Sequence, residues 1–405
     1  MPERGRWVPV WFLFTGGMIN YMDRSAVSVT APLLMRDLRL DPAQLGIIFS
    51  AFFAGYAIFT FIGGYAADVL GPKRVLTLAM TVWSGFCALT ASARGFVSLL
   101  SVRIVFGFGE GPFAATANKM VLNWFPREQI ATAIGIANAG TPIGGALAGP
   151  IAGWFALKYG WRSSFLALAA IGFLWTVFWI PAVRDRPVTN LPAVDIAPTL
   201  GLSFYLRRPA VIATGIAFFG YSYVLYFFLT WFPSYLTISR HLSIHDMGLV
   251  NTIPWILGTL GLTMSGLVCD LISRSIGDVL RARKVVLLVS LASAAVCVAS
   301  AGLVANLATV VMLMAAAIFF IYLTGATYWA IIQELVRSEH VGAVGGFIHL
   351  IANCAGIIGP AATGFIVRDT GVFTNAFLFA GAVAFAGALF VAIFVRGWNG
   401  SMCKV

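Results

Sequence analysis

Charge is scarce in this chain: Asp, Glu, Lys and Arg make up 10% of its 405 residues, where a soluble domain carries about 25%. That shortage excludes two or three ordinary soluble domains, a secreted enzyme, a nucleic-acid binder and a disordered scaffold, because most of the surface must be solvated by something other than water. Cysteine is scarce as well. Cys87, Cys269, Cys297, Cys354 and Cys403 show neither metal-ligand nor redox spacing, so they read as small apolar fillers and no metal site is expected. Nucleotide-binding sequences are missing. There is no Walker sequence, and the glycine-rich run Gly107-Phe-Gly109-Glu-Gly111-Pro lies inside an apolar stretch rather than after a strand. No enzyme signature and no cofactor are expected, and direct drive by ATP is not anticipated.

What the chain has in abundance is hydrophobic sequence, 60% of residues with a mean hydropathy of +0.91. Apolar runs long enough to cross ~30 Å of hydrocarbon recur along its whole length. Windows of about 19 residues place helices near 8–33, 43–66, 75–93, 97–121, 128–152, 162–182, 209–236, 245–268, 285–304, 307–332, 341–367 and 373–396, twelve in all. Membrane strands are excluded, since those are ~10 residues long and alternate in polarity. The first run starts near Trp7 with no small-residue cleavage site after it, so it is expected to be a retained helix. The net charge of +11 sits in the short gaps between runs. With the amino terminus inside, sixteen Lys and Arg fall on the cytoplasmic side and seven on the other, so both termini are expected to be cytoplasmic.

The largest break, residues 183–208, carries Pro187, Pro192 and Pro198. It predicts an amino-terminal six-helix bundle over 1–183, a cytoplasmic linker over 184–208 and a carboxy-terminal six-helix bundle over 209–405. The halves echo each other. Gly64-Tyr-Ala-Ala-Asp68 returns as Gly266-Leu-Val-Cys-Asp270, and Gly135 with Gly149-Pro150 returns 210 residues later as Gly345 with Gly359-Pro360. A duplicated unit of this kind is a transporter signature, with the substrate site expected near mid-membrane. The expected fold class is therefore an all-α polytopic membrane protein with two pseudo-symmetric bundles.

The run Gly64-Tyr-Ala-Ala-Asp68-Val-Leu-Gly71-Pro-Lys73-Arg74 resembles the loop signature of the major facilitator superfamily. Asn20-Tyr21-Met22-Asp23-Arg24, Phe49 to Tyr56, Arg103 to Pro112, Trp124-Phe125-Pro126, Gly160-Trp161-Arg162 and Phe228 to Pro233 narrow the resemblance to its anion:cation symporter family, across essentially the whole chain. The resemblance implies two bundles rocking about a central site, with uptake of an organic anion such as a hexuronate, galactonate or glucarate driven by a cation. In bacterial members that cation is usually a proton.

Only two acids, Asp23 and Glu110, lie deep within predicted spans, with Arg24 and Arg103 at similar depths. A charge at mid-bilayer costs about 2.5–3.5 kcal/mol even on a mild scale, so such groups line a water-filled cavity or are paired. Arg103 and Glu110 share a helix face about 10 Å apart along the axis, with Gly107 between them allowing a close neighbour. By height, Asp23 is expected to approach Arg103 while Arg24 faces elsewhere. The four charges cancel, so a bound carboxylate adds one negative charge at low dielectric. Protonation of Asp23 or Glu110 is then the least costly compensation. A structural salt-bridge network holding the helices together is the alternative reading. The resemblance associates the position of Arg24 with substrate and that of Arg103 with relay to the acids.

The resemblance also implies substrate contacts for Tyr21 and Tyr56, and places Thr141 where sugar-acid members carry Gln. Trp329 and His349 stand where relatives have Trp and Asn, and Asn353 shares the face of His349. Tyr221, Tyr223, Tyr226 and Thr60 make the cavity more aromatic than in sugar-acid relatives. That leaves room for an aromatic or short aliphatic carboxylate, unless the tyrosines simply pack. Asp68, Lys73, Arg74 and the second copy's Asp270 are expected to gate the cytoplasmic side. The expectation is a proton-coupled organic-anion importer of the bacterial inner membrane, working as a monomer in lipid and without nucleic acid. An exchanger or uniporter at the same site is the alternative. A non-transporting sensor is a further one, although a sensor usually carries an appended signalling domain and only nine residues follow Arg396.

Overall fold

A computed structural model describes residues 3–185, 202–325, 327–336 and 341–395. The regular structure of the described residues is helical throughout. The helices are α1 (Trp7–Val29), α2 (Ala31–Leu38), α3 (Pro42–Leu70), α4 (Pro72–Thr90), α5 (Phe96–Glu110), α6 (Pro112–Trp124), α7 (Arg127–Asn138), α8 (Gly140–Tyr159) and α9 (Trp161–Ala182). They continue as α10 (Leu202–Leu206), α11 (Pro209–Ile238), α12 (Ile244–Val250), α13 (Thr252–Ile276), α14 (Val279–Leu303), α15 (Leu307–Leu323), α16 (Thr327–Leu335), α17 (Val341–Thr370) and α18 (Thr374–Phe394).

Each predicted span has its helix, and five are interrupted: α1–α2, α5–α6, α7–α8, α12–α13 and α15–α16. α5–α6 and α15–α16 are the fourth span of each half, so that interruption repeats with the duplication. At α5–α6 the cause is Pro112, which has no N–H to continue the ladder. Eight spans among the described residues are long and apolar enough by composition to cross a membrane. Large side chains such as Leu78, Val97, Phe178, Val289 and Phe385 stand exposed on the outside, where hydrocarbon rather than water solvates them. This is an integral membrane protein. The linker expected at 184–208 lies, from 186 to 201, outside the described residues.

Helix starts follow local chemistry. Asp41 caps α3, its carboxylate accepting Gln44 N–H at 2.7 Å while the Gln44 side chain accepts Asp41 N–H at 3.1 Å, with Pro42 at the first helical position. Between α2 and α9, Asp37 accepts from Arg162 at 2.6 Å and from the Trp161 indole at 3.0 Å. Those bonds, Arg162 first, hold the Asp37 carboxyl below the usual range.

The chain forms two compact units. The first gathers the described residues of Met1–Ala193, Phe228–Ile256 and Pro360–Val372, and the second those of Val194–Phe227, Leu257–Gly359 and Phe373–Val405. This differs from a division at the linker alone, because α11, α13 and α17 contribute to both units. The reason is close backbone packing within the first unit. A Cβ at Gly149 would lie 2.7 Å from Gly248, and one at Gly364 would lie 3.1 Å from Gly46 Cα. Ser50 Oγ accepts Ala361 N–H at 3.0 Å and Ser28 Oγ donates to the Thr230 carbonyl at 2.8 Å. Small residues permit such approach where bulk would forbid it.

Candidate functional site

The first unit holds a buried ionised cluster built on four helices. α1 supplies Asn20, Tyr21, Asp23 and Arg24; α3 supplies Phe52 and Tyr56; α4 supplies Trp83 and Cys87; α5 supplies Arg103, Phe106 and Glu110. Asp23, Arg24, Arg103 and Glu110 are 2%, 7%, 3% and 0% exposed, so none of the four faces lipid. α3 and α5 can approach this closely because of glycine. A Cβ at Gly107 would overlap the Phe52 carbonyl oxygen, and one at Gly55 would overlap that of Ile104.

Asp23 lies within electrostatic reach of Arg103, as its height predicts, but the two form no ion pair. Arg24 is the paired cation, its Nε donating to Glu110 Oε2 at 2.7 Å. Its guanidinium also lies over the Tyr56, Phe52 and Tyr21 rings at 4.5, 5.0 and 5.4 Å. Asp23 turns toward α4, accepting from the Trp83 indole at 3.0 Å and from the Cys87 thiol at 3.6 Å. The cause is helical geometry: consecutive residues diverge by ~100°, so one faces α4 and its neighbour faces α5. Arg103 is stacked instead, its guanidinium 4.7 Å from the Phe52 ring centre and 4.8 Å from that of Phe106, with no ion pair among the described residues. Neither Trp83 nor Cys87 stands out in the sequence, although their spacing of four puts them on one helix face. Cys87 is therefore a partner of Asp23 and not the inert filler that its apolar context implied.

Three of the cluster's buried polar atoms end without a partner. Asn20 approaches Glu110 without completing a hydrogen bond, leaving its Nδ2 and Glu110 Oε1 unpartnered, and Arg103 Nε is in the same state. Buried polar atoms are normally satisfied, so a donor and an acceptor left open beside an ion pair make this cluster the candidate site.

The remaining predicted residues are placed as follows. Tyr21 meets Trp255 edge-on at 5.9 Å, and Tyr56 is half-buried beside Arg24. Thr141 Oγ1 donates to the Asn138 carbonyl at 2.8 Å in the first turn of α8, beside Gly17. In the second unit, His349 meets Phe218 edge-on at 4.8 Å, and Tyr226 Oη donates to Asn353 Oδ1 at 3.4 Å. Tyr223 packs on Phe379 and Gly359. The side chains of Trp329 and Asp68 lie outside the described residues; Arg74 and Asp270 are exposed. Lys73 enters through its backbone N–H, which donates to Asp185 at 2.8 Å.

Comparison with known proteins matches residues 13–353 to the Major Facilitator Superfamily. The chain is 51% identical over 396 residues to a hexuronate transporter of Bacillus subtilis (strain 168), covering 96% of this chain and 94% of that protein. It is 31% identical over 388 residues to a probable sulfoacetate transporter of Cupriavidus necator, covering 92% and 89%. Among solved structures, an inward open xylose transporter from E. coli superposes with a TM-score of 0.77 over 97% of both chains at 15% identity, a likeness of fold.

Proposed function

Because the chain belongs to the Major Facilitator Superfamily and is of its organic-anion transporter type, we propose that it imports a sugar acid of the hexuronate class together with a proton, by alternating access. The observation that carries the reading is the buried Arg24–Glu110 pair at 2.7 Å, roofed by Tyr21, Phe52 and Tyr56. One guanidinium here serves two carboxylates in turn, that of Glu110 and that of the substrate. A proton on Glu110 discharges its hold on Arg24, which then offers its planar fork to the substrate. Proton and anion are thereby linked, each favouring the other's binding. Asp23 is the second proton carrier, and Arg103 answers the charge state of the two acids.

The two relatives support an anion site in a specific way. A hexuronate is rich in hydroxyls and sulfoacetate has none, so a negatively charged carboxylate is what these two substrates share. Arg24 is the group that matches it. The higher identity to the hexuronate transporter favours the sugar acid over an aromatic or short aliphatic one, with Tyr21, Tyr56 and Thr141 of the first unit as its further contacts. Asp68, Lys73, Arg74 and Asp270 gate the cytoplasmic side in this reading. The protein sits in the bacterial inner membrane as a monomer with both termini cytoplasmic.

Proteoliposomes test the scheme. Wild type should concentrate labelled glucuronate when the lumen is alkaline, whereas Glu110→Gln should retain counterflow exchange and lose accumulation. Accumulation by Glu110→Gln at wild-type level would remove Glu110 from the coupling. Counterflow without any pH-driven accumulation in the wild type would make the protein an exchanger or uniporter.

A further inference from the structure

At the opposite end of α4 from Trp83 and Cys87, a cavity of about 600 Å³ opens between the first turns of α4 and the chain leaving α9. Its rim carries Lys73, Arg74, Arg184 and Asp185, and its walls include Leu78 and Ile180. The carboxylate is already engaged. Asp185 Oδ1 accepts Lys73 N–H at 2.8 Å, and the same carboxylate packs on Gly71, whose φ of +85° suits glycine. The three cations form no ion pair among the described residues. Among the described residues the rim is therefore positive, with Asp185 committed to the backbone of α4.

The walls have the opposite chemistry. Leu78 is 64% exposed and Ile180 48%. Each stands about a helical turn inward from the charged rim, on the surface that faces hydrocarbon. A soluble phosphate would satisfy the rim and leave the walls unused. A zwitterionic lipid would bring an ammonium group for which the described rim residues offer no free carboxylate. We propose that this cavity binds the headgroup of an anionic phospholipid, with Lys73, Arg74 and Arg184 on the phosphate and an acyl chain along Leu78 and Ile180. Basic pockets between helices at a membrane surface suit such headgroups. The inference needs the membrane-spanning fold and does not depend on the substrate or on proton coupling.

The full-length protein, depleted of lipid and placed in phosphatidylcholine nanodiscs, tests it by native mass spectrometry after trace phosphatidylglycerol or phosphatidylethanolamine is added. Phosphatidylglycerol should be retained over both zwitterionic lipids, and Arg184→Gln should lower that retention about fivefold, the share expected of one cation near the surface. Equal retention of the three lipids would overturn the proposal, as would unchanged retention in a Lys73→Gln, Arg74→Gln, Arg184→Gln variant. Displacement of phosphatidylglycerol by millimolar inorganic phosphate would assign the site to a soluble anion instead, and overturn the lipid. Because the triple variant has the greatest risk of misfolding, a second measurement uses a fluorophore on Leu78→Cys with the rim intact. Brominated phosphatidylglycerol should quench it more than brominated phosphatidylcholine, and equal quenching would count against the proposal.

Discussion

Asp23 and Arg24 are neighbours in sequence with separate partners, and that separation defines the cluster. Asp23 leans on two donors from α4, the Trp83 indole and the Cys87 thiol. Trp83→Phe strips one donor from a carboxylate that is 2% exposed. A buried polar group left short of a partner costs about 1–3 kcal/mol, so the melting temperature of the purified protein should fall. In an Asp23→Asn background the same change should cost less, and the two effects should fail to add. Full additivity would mean that the indole does not act through Asp23. At this scale the sequence reveals which residues are charged and how deep they lie, since rise per residue converts position into height. It does not reveal which neighbouring helix each one meets. Azimuth depends on packing that no single run of sequence encodes, so height brings Asp23 near Arg103 without revealing that its hydrogen-bond donors stand on α4.

The elements are legible because hydrophobic runs and Gly-Pro punctuation are local signals. Twelve runs can be counted, and Pro112 explains why the fourth is interrupted directly after Glu110. What cannot be counted is how near the helices come to each other. Gly107 and Gly85 show the difference. At Gly107 an added methyl would overlap the Phe52 carbonyl oxygen, whereas at Gly85 nothing lies within 4 Å. Gly107→Ala should therefore push α3 off α5, costing about 1–3 kcal/mol as overpacking does, and should impair transport because Arg24, Glu110 and Phe52 sit at that seam. Gly85→Ala should be neutral or stabilise by up to about 1 kcal/mol, as Ala does relative to Gly inside a helix. Thermal melts and uptake on the pair check both; equal effects would show that the α3–α5 seam is not tight.

For the whole molecule, repetition across 210 residues makes the duplicated plan visible in the sequence itself. The physical clustering is less tidy, since α11, α13 and α17 each contribute to both compact units. Long-range glycine contacts such as Gly149 with Gly248 cause this, and they carry no signal at the scale of a sequence window. A ligand that binds the folded protein stabilises it as a whole, by about 2.7 kcal/mol at a hundred times its Kd. Glucuronate or galacturonate should therefore raise the melting temperature of the detergent-solubilised transporter. Glucose, which has no carboxylate for Arg24, should not. An equal shift with glucose would mean that the site does not select for negative charge.

The borrowed segments 228–256 and 360–372 also bear on genetic dissection. Splitting the gene at the central linker would produce a first polypeptide without the stretches that cover Gly46, Gly149 and Ser50, leaving those backbones against lipid. Neither translated piece would be a self-sufficient unit, and each would depend on the other being made in the same cell. Expressed singly they should be degraded, and expressed together they should rescue one another.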